Sequence, residues 1–320
     1  MRKMSYLLLS VSFLVLAFFP APSAGLEKFK VAVSVKANPS YMLPFWAAEE
    51  KGFWKKNGLD AEFIPFNSGR SLFQAMAGGA IDAGLGGAIS DVRAIASGVP
   101  AIIVADLHSP QEFSVYVRSD SRIKGPQDLR GAKIGVSRFG GLVHAFGLAL
   151  AKALNMENQI KFMASGGAGK EIAALKAGAT DGTIFSFFGM APLIFRGQIR
   201  AAVSMRDYLP KEWIDVTISA RKGFTQTGSR TLRAGLKTII EGAVSVMEDR
   251  AWTVSKLKKE YGYSDKAANL IHRKYLRYGR SGVISKQGIE NLRGFLIDNG
   301  VLPERKIPPA EKLFTNEFVS

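Results

Sequence analysis

From residue 29 to residue 185 the chain switches between two hydrophobic rhythms. Short runs alternate apolar and polar positions, or are apolar throughout, as strands do. Longer ones place an apolar residue every three or four positions, as helices do. The run FKVAVSV at 29–35 predicts a strand, and 40–51, with Phe45, Trp46 and Ala48 apolar, predicts a helix ended by Gly52. Further strands are predicted at 59–65, 82–86, 100–107 and 113–118, with helices at 70–78 and 88–97. A second round then begins, with strands at 132–136, 159–163 and 181–185 and helices at 142–154 and 170–177. Such alternation predicts an α/β fold of parallel or mixed sheets flanked by helices.

The two rounds repeat each other. A shift of 99 residues lays Phe63 on Phe162, Ala75 on Ala174, Gly79 on Gly178, Ala80 on Ala179 and Asp82 on Asp181. The loop Asn67-Ser68-Gly69 falls on Gly166-Gly167-Ala168. Each copy reads strand, small-residue loop, helix, Gly stop, Asp, strand, and the Gly suits a helix end that needs positive φ. Two lobes on one plan are therefore expected. The last third is helical: 230–250 sets Leu232, Leu236, Ile239, Ile240, Ala243 and Met247 on one stripe, and helices follow at 253–261, 264–278 and 286–299. Packing that tail on the first lobe gives lobe 1 at 25–117 plus 221–320 and lobe 2 at 118–220. The chain then crosses near 116–119 and 218–222, a natural hinge.

Ahead of this lies a segment outside the rhythm. Arg2 and Lys3 precede fourteen uncharged residues, YLLLSVSFLVLAFF, followed by Pro20 and the small residues Ala21, Ser23, Ala24 and Gly25. That order marks residues 1–24 as a cleavable secretory signal, with cleavage between Ser23 and Leu26. Fourteen helical residues span about 21 Å, short of the roughly 30 Å apolar core of a bilayer. An uncleaved anchor is the alternative; cleavage implies a soluble, extracytoplasmic or periplasmic mature chain.

Composition narrows the chemistry. With 320 residues, 47% of them apolar and 22% charged, the chain suits two globular domains. Lys and Arg number 43 against 27 acids, a net charge of +16. That excess fits anion binding, contact with an anionic membrane surface, or solubility by self-repulsion. Nucleic acid is not expected as a partner, given the export signal and the lack of a recognition-helix pattern. No cysteine is present, which excludes a disulfide scaffold, a thiolate zinc site, a thiol nucleophile and a lipid anchor. The three histidines, His108, His144 and His272, are too scattered in sequence to suggest a metal centre.

Catalytic motifs are only approached. The stretch 164–171 lacks the first Gly and the magnesium Ser/Thr of a P-loop, and Phe139 replaces the last Gly of a nucleophile elbow at 135–139. Ile89 replaces the third Gly of a dinucleotide loop at 84–89. What recurs is a small, polar loop between strand end and helix start: Asn38-Pro39-Ser40-Tyr41, Asn67-Ser68-Gly69, Gly86-Gly87-Ala88, Ser137-Arg138-Phe139-Gly140-Gly141 and Gly166-Gly167-Ala168-Gly169. In parallel sheets these loops share the carboxyl edge, where helix N-termini offer backbone N–H groups to a polar or anionic ligand. The alternative is that the glycines only make tight turns. Tyr41, Phe139, Phe185 and Phe187 stand in or beside these loops, either lining a cleft or packing in the core.

The run PFWAAEEKGFWKKNGLDAEFIPFNSGRSLFQAMAGGAIDAGL resembles the first lobe of substrate-binding proteins of ABC importers. The branch is the NMT1-like one associated with nitrate, sulfonate, taurine and thiamine-pyrimidine uptake. The carriers are Glu50-Lys51-Gly52-Phe53-Trp54, Gly58-Leu59-Asp60, Asn67-Ser68-Gly69, the stretch 75–82, and the D-L-[KR]-G-x-x-[IV]-[GA] pattern at 128–135. The likeness covers most of 29–200 and weakens over the helical tail.

This resemblance implies a bilobed periplasmic-binding fold of the second type and a monomer without catalysis, cofactor or metal. It would capture a small, anionic or polar organic solute and pass it to an ABC permease and ATPase, touching the membrane complex peripherally. Carried over, the ligand-facing candidates are Tyr41, Ser68, Gly69, Gly87, Ala88, Ser137, Gly140, Gly141, Gly167 and Phe185. Arg70 and Arg138 sit in suitable loops to counter an anion, or else reach out to water. Two other classes stay open: a ligand domain feeding a membrane receptor, and an enzyme like the yeast-type pyrimidine synthases on this fold. Those enzymes carry a Cys-rich motif; this chain has no cysteine.

Overall fold

The computed structural model describes residues 25–107 and 113–319, so the signal segment expected at 1–24 lies outside the described residues. The first round comprises β1 (Glu27–Val33), α1 (Pro39–Glu50), α2 (Phe53–Lys56), β2 (Leu59–Pro65), α3 (Gly69–Ala77), β3 (Ala83–Gly87), α4 (Ala88–Ala96) and β4 (Ala101–Asp106). The second comprises β5 (Phe113–Arg118), β6 (Lys133–Val136), α5 (Leu142–Ala153), β7 (Lys161–Ala164), α6 (Ala168–Lys176), β8 (Gly182–Ser186), α7 (Phe187–Phe195) and β9 (Ile199–Ser204). The tail follows as β10 (Val216–Arg221), α8 (Lys222–Thr227), α9 (Ser229–Glu248), α10 (Arg250–Tyr261), α11 (Asp265–Lys274) and α12 (Lys286–Asp298). Among the described residues no helix is long and apolar enough to cross a membrane.

Two five-stranded sheets result, ordered β2-β1-β3-β10-β4 and β7-β6-β8-β5-β9. In each, three strands run parallel and the fourth in the row is antiparallel to both its neighbours. The sequence repeat has a structural cause. β3 and α4 recur as β8 and α7 at the same spacing of 99 seen in the sequence. Gly79 and Gly178 end the preceding helices at φ 75° and 73°. The Asp that follows makes the same pair of bonds twice. Lys30 N–H donates to Asp82 Oδ2 at 3.0 Å while Asp82 N–H donates to the Lys30 carbonyl at 2.8 Å. Lys133 and Asp181 repeat this at 2.8 Å and 2.8 Å.

The crossings differ from expectation. β5, with Tyr116 at its middle, lies wholly in the second sheet, and β10, with Ile218, lies wholly in the first. The chain therefore passes between sheets after Asp106 and before Phe113, and returns between Ser204 and Val216. The segments 116–119 and 218–222 proposed as crossings fall on strands instead. An apolar, doubly covered strand reads alike whichever sheet it joins, so the pattern could not place the switch.

The tail packs first on α1, as its stripe predicts. Leu232, Leu236, Ile239, Ala243 and Val246 are buried, and α9 approaches so closely that a β-carbon on Gly242 would lie 2.1 Å from the Pro44 carbonyl oxygen. Tyr278 donates to the Ser40 carbonyl at 2.8 Å, fixing the first turn of α1. The tail also reaches the second round. Phe187 stacks on Tyr275 with centroids 3.5 Å apart and planes 5° from parallel, and Phe295 of α12 meets Phe146 of α5 at 5.5 Å.

Candidate binding cleft

Because β1, β2 and β3 are parallel, their carboxyl ends share one edge, and antiparallel β10 starts at that same edge. The second sheet repeats this with β6, β7, β8 and the start of β5. Residues just past these ends line a partly open cavity of about 130 Å³. The first sheet supplies Ser34, Tyr41, Gly69, Gly87 and Ser90, the second Phe113, Leu142 and Phe146, and the return crossing Ile214 and Asp215. An engineered apolar cavity of about 150 Å³ takes benzene, which sets the scale of ligand this hollow encloses.

The polar groups lie on one wall. Tyr41 is 5% exposed, and burial, then the negative charges of Asp215 and Asp91, hold its hydroxyl far above the ordinary phenol range. It therefore stays protonated and able to donate. Gly87 must be small here, since a β-carbon would stand 3.4 Å from the Tyr41 hydroxyl. Described partners hold Asp215: its carbonyl accepts the Ala88 N–H at 2.9 Å and its Oδ1 accepts the Trp213 indole N–H at 2.7 Å. Behind this wall Asp91, 1% exposed, accepts hydroxyls from Thr217 at 2.7 Å and Ser219 at 2.9 Å. Burial pushes its carboxyl up to about 7, against the two hydrogen bonds that favour the charged form. The opposite wall is apolar, with Phe113 and Phe146 at 4.9 Å.

Of the ten candidates, Tyr41, Gly69, Gly87 and Ala88 line this cavity. Ser68 does not; its Oγ accepts the Ser71 N–H and caps α3. Ser137 donates to Glu171 Oε2 at 3.4 Å, and Gly140 N–H donates to His144 Nδ1. Gly141 and Gly167 cap α5 and α6 without joining the lining. Phe185 packs instead with Tyr116, Leu175, Met190 and Ile199, and a β-carbon on Gly189 would meet it at 2.3 Å. Arg70 and Arg138 share an adjoining groove.

Fewer backbone donors face the cavity than the loops suggested. Asn38 accepts the Ser40 N–H, Ser68 that of Ser71, and the Asp215 carbonyl that of Ala88. Asp215 itself was missed because only strand-to-helix loops were considered. An antiparallel strand brings its amino end to the same edge, so the residue before β10 belongs to the set. A larger open groove of about 1130 Å³ beside α9 shares no residue with this cavity.

A profile of the family described as NMT1/THI5 like matches residues 39–251, and the chain belongs to that family. A binding protein of Brucella abortus (strain 2308) is 30% identical over 159 residues, 48% of this chain and 46% of that protein. A 4-amino-5-hydroxymethyl-2-methylpyrimidine phosphate synthase of Saccharomyces cerevisiae is 31% identical over 102 residues, 31% of this chain and 30% of the synthase. The chain thus spans half or less of these relatives' length.

Among solved structures, the periplasmic aliphatic sulphonate binding protein SsuA of Escherichia coli superposes with a TM-score of 0.75 at 16% identity, covering 90% of this chain and 92% of SsuA. The periplasmic nitrate-binding protein NrtA of Synechocystis PCC 6803 gives 0.69 at 14% identity, covering 92% and 87%. The fold is therefore that of periplasmic binding proteins, as the motifs implied.

Proposed function

We propose that the protein is an extracytoplasmic, non-catalytic solute-binding protein. It captures a small polar organic solute between its two lobes and delivers it to an ABC permease and ATPase. The supporting observation is the partly open cavity where the carboxyl edges of two like sheets meet, polar on one wall and aromatic on the other. Its size admits the head of a small molecule, and the Phe113 and Phe146 wall suits a flat or apolar portion. Asp215 favours a solute that brings an N–H or O–H donor, and the protonated Tyr41 hydroxyl one that also brings an acceptor; a bare anion would face the Asp215 carboxylate. Among the described residues no His, Lys or Cys lines the cavity. Capture works by closure: contacts to both lobes exist only when they meet, and that difference in affinity shifts the population.

The test is a thermal-shift and X-ray scattering panel on the chain from residue 25, with nitrate, ethanesulfonate, taurine, acetate and 4-amino-5-hydroxymethyl-2-methylpyrimidine, beside mass spectrometry of molecules that copurify. The expected result is a saturable rise in Tm and a smaller radius of gyration with one class. A panel and a copurification that both come up empty, with Tm and radius constant, overturn the reading.

A further inference from the structure

The stretch 250–280 holds nine Lys and Arg residues against two acids, Glu260 and Asp265. That is close to half of the net charge of +16 in under a tenth of the chain. The acids in and beside it are already taken. Asp265 pairs with Lys258 at 2.8 Å, Glu260 with Lys256 at 3.4 Å, Glu248 with Arg280 at 2.9 Å and Asp249 with Lys51 at 2.6 Å. Arg250, Lys266, Arg273 and Arg277 are left over, all exposed, and none pairs with a described carboxylate.

These four share one face of α10 and α11. Arg250 donates to the side-chain carbonyl of Asn269, and Lys266 and Arg273 stand three residues before and four after Asn269, on the same side of α11. Arg277 donates to the carbonyls of His272, at 3.2 Å, and of Arg273. Burial, and more weakly the charges of Arg277 and Arg250, push the His272 ring below its ordinary pKa, so it adds no charge at neutral pH. Helix electrostatics explain only part of the set. Arg273 and Arg277 lie at the C-terminal end of α11, where cations are favoured. Arg250 opens α10 and Lys266 is the second residue of α11, where the helix dipole disfavours them. None of the four lines the cavity, the α3–α4 groove or the groove beside α9. Such a face suits an extended array of negative charges better than one enclosed ion.

We propose that this face of α10 and α11 docks the protein on an anionic lipid bilayer, through the headgroup phosphates. The inference goes beyond the solute reading and does not rest on it, because the face lies outside the cavity. Each Lys or Arg near such a surface adds to the attraction, and salt screens the sum. Tyr275, just past α11, stacks on Phe187, the residue that follows β8 at the carboxyl edge of the second sheet. Docking by this face therefore brings an edge of the cleft to the membrane.

The probe is a suspension of vesicles of phosphatidylglycerol mixed into phosphatidylcholine. They are sedimented with the chain from residue 25, which carries every described element but not the apolar run at 6–19. Binding is expected at an ionic strength of about 0.15 M, weakening as salt rises, and none to pure phosphatidylcholine. Arg250→Gln combined with Arg273→Gln should lower the partition coefficient about 25-fold, roughly fivefold for each charge. Arg250→Lys combined with Arg273→Lys keeps both charges and should stay within about twofold of the parent. Lys152→Gln combined with Lys176→Gln removes the same charge from exposed positions on α5 and α6 and should cost less than about twofold. Circular dichroism checks that each variant is folded. Failure to bind the mixed vesicles, or an equal loss in the Lys152 and Lys176 variant, overturns the proposal. Binding to polyglutamate with none to vesicles also overturns it and gives the face to an acidic protein. No solute is added, so failure here stays distinct from failure of the solute panel.

Discussion

Gly69 and Ser90 touch where the first turns of α3 and α4 converge: a β-carbon at 69 would stand 3.0 Å from Ser90 Cβ and 3.1 Å from its Oγ. Both residues line the cavity and the adjoining groove between α3 and α4, so this contact is the partition between them. A bulky side chain there fills the junction. Gly69→Leu should abolish the solute-dependent rise in Tm, while costing about 1–3 kcal/mol of stability from crowding. A thermal-shift series on the variant reads both; a retained response to solute would remove the junction from the site.

The α1–α9 contact makes a sharper stability prediction. The 2.1 Å gap at Gly242 faces a backbone oxygen, which cannot rotate away. Gly242→Ala should therefore destabilise by roughly 3 kcal/mol or more. Gly294 of α12 has nothing within 4 Å of an added β-carbon, and Gly294→Ala should stabilise by about 1 kcal/mol through helix propensity. Urea unfolding of both variants gives the comparison, and equal midpoints would mean that the helices part at no cost.

Asp91 gives a pH dependence with a definite sign. Its carboxyl moves from the ordinary 3.8 to about 7 in the folded chain. Between those values the folded form keeps a proton that the unfolded chain releases, so stability falls as pH rises through this window. The loss is nil below pH 3.8 and complete above about 7, on the order of 4 kcal/mol at most. Asp91→Asn removes the titration, so its stability relative to the parent should grow from pH 4 to pH 7. Parallel profiles from urea melts would show that Asp91 is already ionised across the range.

Trp213 should report occupancy of the cavity. Its indole N–H is held by Asp215 at 2.7 Å, and its ring meets Phe295 at 5.1 Å and Phe146 at 6.3 Å. A solute that engages the Asp215 carboxylate alters that hydrogen bond. Emission should shift on binding in the parent and stay constant in Trp213→Phe, with affinity by calorimetry within about threefold. A persisting shift in the variant would place the reporter on Trp46, Trp54 or Trp252.

The sequence carried most of the scaffold because its signals are local. Gly79 and Gly178 need positive φ, and Asp82 and Asp181 each tie off a neighbouring strand, so both copies of the unit had to keep those residues. The strand-end loops of the first round were legible for the same reason, and Tyr41, Gly69, Gly87 and Ala88 meet as their shared edge implies. What was hidden depends on pairing between distant segments. Nothing in the run 113–118 or 216–221 says which sheet it enters. Asp215 reaches the cavity only because β10 runs backwards between β3 and β4. Phe185 sits at a strand end like the others, yet its side chain turns to Gly189 and the cluster around Met190.

The late arrival of β10 has a bearing on biogenesis. β3 and β4 are not neighbours in the first sheet; the strand that joins them is made only after the whole second sheet. A polypeptide stopped before Val216 leaves both with open hydrogen-bonding edges, and limited proteolysis of such a truncation should degrade its amino-terminal half quickly. During synthesis that half thus lacks the strand that joins β3 to β4 until about two-thirds of the chain has been made.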